Sequence, residues 1–86
     1  MYNIVYSSHA QRDAKKAGKT GIKNSILKII EILKVNPYQS PPPFEKLLGD
    51  LSGAYSRRIN MQHRLVYQIY EKEKIVKIIR MWTHYE

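Results

Sequence analysis

Cysteine is absent from this 86-residue chain, so no disulfide staples it and no thiol chemistry is open to it. Long apolar runs are absent too. The longest apolar segment, around Ile26 to Val35, is broken by Lys28, Glu31 and Lys34. A membrane helix needs about 20 apolar residues, so none is expected. The first residues, MYNIVYSSHA, lack a basic region followed by an apolar stretch, so no signal peptide and a cytoplasmic location are expected. Dense clusters of Asp, Glu and His at metal-ligand spacing are missing, which disfavours a metal mechanism; no cofactor is expected. No repeat or low-complexity tract is evident.

Acidic side chains are scarce. Seven Asp and Glu stand against fifteen Lys and Arg, a formal net charge of +8. The pI of about 9.8 points to a polyanionic partner. RNA, DNA, an anionic membrane or an acidic protein would each serve, and so would the bland alternative of a soluble basic protein. The length fits one domain, residues 1–86, around one modest core.

The pattern predicts an α+β fold in the order β-α-α-β-β-β. Tyr2 to Tyr6 reads as a strand. Ser7 or Ser8 is a candidate cap for a short helix to Lys16, with Gly18 ending it in a left-handed conformation. Thr20 is a candidate cap for a second helix, in which Ile22, Ile26, Ile29, Ile30 and Leu33 form an apolar stripe. Asn36-Pro37 stops it. All four prolines, Pro37, Pro41, Pro42 and Pro43, fall within seven residues and mark a stiff surface loop. Three strands then follow: Ala54 to Ile59, His63 to Tyr70 and Ile75 to Trp82, joined by turns at Asn60-Met61-Gln62 and Glu71 to Lys74. The last is apolar on both faces, which suggests a central place. A small antiparallel sheet results, with the first strand beside it and the helix pair on one face.

Arginines stand out on these strands, where charged residues are usually depleted. Side chains alternate across a strand, so Arg57 points opposite to Arg58. With a turn near Met61, Arg58 sits roughly across from Arg64. Two guanidiniums on one face repel unless an anion bridges them, so the pair is a candidate phosphate clamp. A solvated face, or an ion pair with Asp50 or Glu45, is the alternative. If the polyanion is RNA, cleavage without a metal needs a base for the 2′-hydroxyl, an acid for the leaving oxygen and a cation at the phosphate. Glu45, in the loop after Pro43-Phe44, is a candidate base or a plain surface acid. His84-Tyr85 at the C-terminus offers an acid and a stacking ring, or an ordinary polar tail. His9 and His63 are given no catalytic role. Lys15, Lys16, Lys19 and Lys23 form a basic helical region.

The chain resembles the Txe/YoeB toxins, a branch of the RelE superfamily. Leu51-Ser52-Gly53, Ser56-Arg57-Arg58-Ile59 and His63-Arg64-Leu65-Val66-Tyr67 follow the family pattern, and His84-Tyr85 matches its ending. The resemblance implies a ribosome-dependent mRNA endonuclease that cuts in the A site. It implies Glu45 as general base, Arg64 at the phosphate, His84 as general acid and Tyr85 holding the RNA, with Arg58 assisting and Lys46 and Arg57 as further RNA contacts. It also implies a YefM/Axe-like antitoxin, operator DNA bound only through that antitoxin, a homodimer, and no membrane. Three departures stand out. Leu48 replaces a family lysine, for which Lys46 is the candidate substitute. Ala54-Tyr55 keeps one of two aromatics, and Glu86 follows the tyrosine. Two other readings remain: a related toxin that binds gyrase and cleaves nothing, and a basic module that acts only in repressing its own operon.

Overall fold

The structure, a computed structural model, describes residues 1–81. The expectations placed on His84, Tyr85 and Glu86, and on the end of the last strand at Trp82, lie outside the described residues. Eight elements follow in order: β1 (Asn3–Tyr6), α1 (Ser8–Ala17), α2 (Lys23–Val35), β2 (Glu45–Lys46), a 3-10 turn (Gly49–Leu51), β3 (Tyr55–Arg58), β4 (Arg64–Tyr70) and β5 (Ile75–Arg80). The strands make one sheet in the order β1-β5-β4-β3-β2. No helix among the described residues is long and apolar enough to cross a membrane.

The α+β layering is as expected, with two changes to the sheet. First, it is mixed. β1 runs parallel to β5, from Asn3 opposite Ile75 to Tyr6 opposite Ile78. The two helices between β1 and the meander carry the chain back across the sheet, as a parallel neighbour requires. β5 thereby gains a partner on each edge, which suits a strand apolar on both faces. Second, Glu45 and Lys46 are not loop residues. They form a two-residue edge strand antiparallel to β3, with Glu45 opposite Ser56 and Lys46 opposite Tyr55.

Ser7 caps α1 by accepting the Ala10 amide hydrogen at 3.0 Å, and its hydroxyl also donates to the Ile79 carbonyl at 2.8 Å. The buried face of α1 is Ala10, Asp13 and Ala17, small enough to bring the helix close to β5. Gly18 is right-handed (φ −63°), not left-handed as expected, and its amide still bonds the Ala14 carbonyl. The helix does end at Gly18, and Thr20 completes that end, its hydroxyl donating to the Ala17 carbonyl at 2.9 Å. Thr20 therefore closes α1, and the residue capping α2 is Ile22, with no side-chain bond. The stripe Ile26, Ile29, Ile30 and Leu33 is buried as the spacing predicts, against Leu65, Tyr67, Val76 and Ile78 of the sheet.

Gly53 leads into β3 with φ +95°, a conformation that side-chain-bearing residues rarely adopt. Gly21 has no positive φ and lies in open space. Nothing beyond its chain neighbours crowds a Cβ at Gly53 either, so any cost there is purely backbone. Gly53→Ala should lower the unfolding free energy by about 1–2 kcal/mol. Gly21→Ala should be neutral or stabilising by up to about 1 kcal/mol. Urea denaturation of both variants checks this, and equal losses would refute the conformational account.

Candidate active site

The face of the sheet away from the helices carries three of the expected site residues, Glu45, Arg58 and Arg64. Arg58 of β3 lies directly opposite Arg64 of β4. Directly opposed residues of an antiparallel pair share a face, so both guanidiniums lie on the same side. Ser56, two residues before Arg58, is on that side as well, and Glu45 sits opposite Ser56. Arg64 Nη1 is 3.4 Å from Glu45 Oε1 and 3.4 Å from Ser56 Oγ. The arginine side chain is mostly covered, with 22% exposed, while the Glu45 carboxylate is 68% exposed. An ion pair this open contributes at most about 1 kcal/mol to stability. Its geometry matters more: one carboxylate and two cations meet on one surface.

Ser56 was not among the expected site residues. It is buried, and its hydroxyl accepts from Arg64. Strand parity with Arg58 is the signal that would have found it. Among the described residues no three His, Cys, Asp or Glu side chains come together as a metal site would need.

Two expected RNA contacts are placed elsewhere. Lys46 pairs with Tyr55, whose ring stacks on Tyr67 on the helix side of the sheet. One residue along an edge strand from Glu45, it faces the other way, so it does not join the Glu45–Arg64 group. Arg57 is 1% exposed and out of reach of a phosphate. Its Nε donates to the Tyr67 hydroxyl at 2.8 Å, Nη1 to the Pro42 carbonyl at 2.7 Å, and Nη2 to the carbonyls of Pro37 at 3.0 Å and Gln39 at 2.8 Å. Its guanidinium also lies 4.9 Å from the centre of the Phe44 ring. The sequence puts it on the helix side by parity, and a proline loop with few N–H donors leaves carbonyls in need of one.

Comparison with known proteins agrees with this architecture. The family profile of YoeB-like toxins of bacterial type II toxin–antitoxin systems matches residues 6–85. The chain belongs to the YoeB family. Toxin YoeB of Streptomyces coelicolor is 32% identical over 84 residues, covering 95% of this chain and 98% of the relative. A YoeB/ParE toxin from Agrobacterium tumefaciens superposes with a TM-score of 0.88 at 27% identity, covering 96% of this chain and 99% of that one. The YoeB–YefM complex from Staphylococcus aureus gives 0.82 at 32% identity, covering 99% of each chain.

In this YoeB-family chain the proline loop is pinned a second time. The Tyr38 hydroxyl donates to Glu71 Oε1 at 2.9 Å, and Tyr2 donates to the same carboxylate at 2.8 Å. Lys74 completes the group through an ion pair with Glu71. Hydrogen bonds from Lys74, Tyr2 and Tyr38 hold the Glu71 carboxyl down to about 2. Partial burial of its ring and the bond to Glu71 push the Tyr38 hydroxyl up to about 12.

A carboxyl held low in the fold stabilises it above the unfolded value, and that contribution is lost as pH falls through the folded value. For Glu71 the window runs from about 4.5 down to about 2. Melting curves should therefore show Glu71→Gln below the parent at neutral pH, with the gap closing between those two values. A gap that stayed constant to pH 2 would count against the assignment.

Proposed function

We propose that this YoeB-family toxin is a metal-independent endoribonuclease that cuts mRNA in the ribosomal A site and so stops translation. Glu45 takes the proton of the ribose 2′-hydroxyl, which attacks the adjacent phosphorus. Arg64 and Arg58 hold the phosphate oxygens as negative charge develops. His84 protonates the leaving 5′-oxygen and Tyr85 holds the RNA. The roles of His84 and Tyr85 rest on the match to the family's ending, since both lie outside the described residues.

The observation that carries the reading is the meeting of Glu45 Oε1 and Arg64 Nη1 at 3.4 Å, with Arg58 directly across the strand pair from Arg64. A base within reach of the 2′-hydroxyl and cations at the same phosphate are what the reaction needs. The surrounding charge of +8 suits a substrate embedded in RNA. It equally suits an acidic antitoxin segment, and the Staphylococcus aureus relative is seen in complex with YefM. A YefM-like antitoxin is therefore the expected cellular partner, and the cytoplasm, where ribosomes work, the expected location.

Primer extension on mRNA translated in vitro with the purified protein tests the reading. Discrete stops within codons are expected. Arg64→Ala should weaken them by roughly 10²–10³-fold, and His84→Ala by roughly 10²–10⁴-fold. Both variants should remain folded and relieve growth arrest in cells. Uncut mRNA with the parent protein, or full cleavage by both variants, would overturn it.

A further inference from the structure

We propose that Arg57 is a positioning residue for Glu45, acting through the proline loop and touching no RNA; this rests on the reading of Glu45 as the base. β2 has two residues, and only two register pairs plus a bond from the Leu47 amide to the Ala54 carbonyl (2.9 Å) fix it to β3. Strands this short on a sheet edge do not hold a register by themselves. Something before Glu45 must deliver the chain to its place. That segment, residues 37–44, holds four prolines and so lacks four of its N–H donors.

Arg57 supplies donors from outside. Its two Nη atoms grip three carbonyls of the loop, at Pro37, Gln39 and Pro42, while Nε is held by Tyr67. Phe44, the residue just before Glu45, lies over the same guanidinium and edge-on to Tyr55, with ring centres 5.6 Å apart. Arg57 also follows Ser56, the backbone partner of Glu45. One strand therefore sets Glu45 twice: by its backbone through Ser56, and by the Arg57 side chain through the loop. Only a planar fork with five donors can satisfy such divergent acceptors, so a lysine is a poor substitute.

The consequence is a loss of rate without loss of substrate binding. A displacement of about 1 Å at a catalytic group can cost roughly 10²-fold. Arg57→Lys keeps the buried charge and loses most of the grip; Tyr67→Phe is a milder variant that removes one bond and serves if the first does not fold. In cleavage of mRNA on translating ribosomes, Arg57→Lys should lower kcat by roughly tenfold to a hundredfold, with KM within about twofold. On a Glu45→Ala background the same change should cost less than about twofold, because the base it positions is gone. Hydrogen exchange should show the Leu47 amide opening faster while amides of β4 and β5 hold.

Three results would overturn the proposal with the base assignment still standing. One is an undiminished loss on the Glu45→Ala background. Another is a raised KM with kcat intact, the mark of a direct RNA contact. The third is unchanged Leu47 exchange. If Glu45→Ala alone cleaves like the parent, the assignment of the base fails, and the proposal falls with it. That single variant separates the failure of the base assignment from the failure of Arg57.

Discussion

The guanidinium of Arg57 is a buried cation that no carboxylate among the described residues answers. Its recorded partners are three loop carbonyls, one phenol and the face of Phe44. A charge removed from water is tolerated only when its hydrogen bonds are replaced. Here the replacement is mutual. The proline loop has carbonyls and few donors, and the arginine has donors and no acceptors. Neither is comfortable alone, and together they turn a stiff surface segment into a fixed path. The edge strand β2, and with it Glu45, takes its place from that path.

The opposite face depends on a different constraint, the register of β3 against β4. Asn60 sets it: its side-chain oxygen accepts the amides of Gln62 and His63, both at 2.8 Å, and the Ile59 amide bonds the His63 carbonyl at 2.8 Å. A slip of one residue between two strands sends a whole set of side chains to the other side. It would expose Leu65 and Tyr67, now fully buried, and would part Arg58 from Arg64. The packing of the core and the pairing of the two arginines are thus one specification. Helical burial on one face enforces cationic convergence on the other.

This coupling explains what could be read from the sequence and what could not. The Arg58–Arg64 pairing was legible because a short turn fixes register and parity fixes the face. The same parity placed Arg57 away from them, yet its partners are backbone carbonyls fifteen to twenty residues earlier, which no side-chain pattern records. β2 was invisible because two residues carry no period. The face of Lys46 was not legible for the same reason: a loop residue has no assigned face, and a strand residue does. The parallel pairing of β1 was hidden because strand direction is a property of backbone bonds. Gly18 was legible as the helix end by type, but its conformation was not: the Thr20 hydroxyl already satisfies the terminal carbonyl at Ala17, so no left-handed turn is needed.

The N-terminal half carries little distinctive chemistry, and its use lies in where it holds the ends of the sheet. Asp13 of α1 is 1% exposed, and it accepts the Met81 amide at 3.1 Å and Arg80 Nε at 3.4 Å. Breaking a buried carboxylate pair costs far more than an exposed one, since the remaining group is left in low dielectric. With Ser7 donating to the Ile79 carbonyl, α1 fixes the last three described residues of the chain. In the sequence His84 follows Met81, the last described residue, by three positions. Glu45 likewise follows a segment gripped by Arg57. In both cases a residue proposed to move a proton is reached through a few residues of chain whose starting point is set from the helix side of the sheet. The residues proposed to hold the phosphate, Arg58 and Arg64, share one face, and the path that brings Glu45 to that face is fixed from the other.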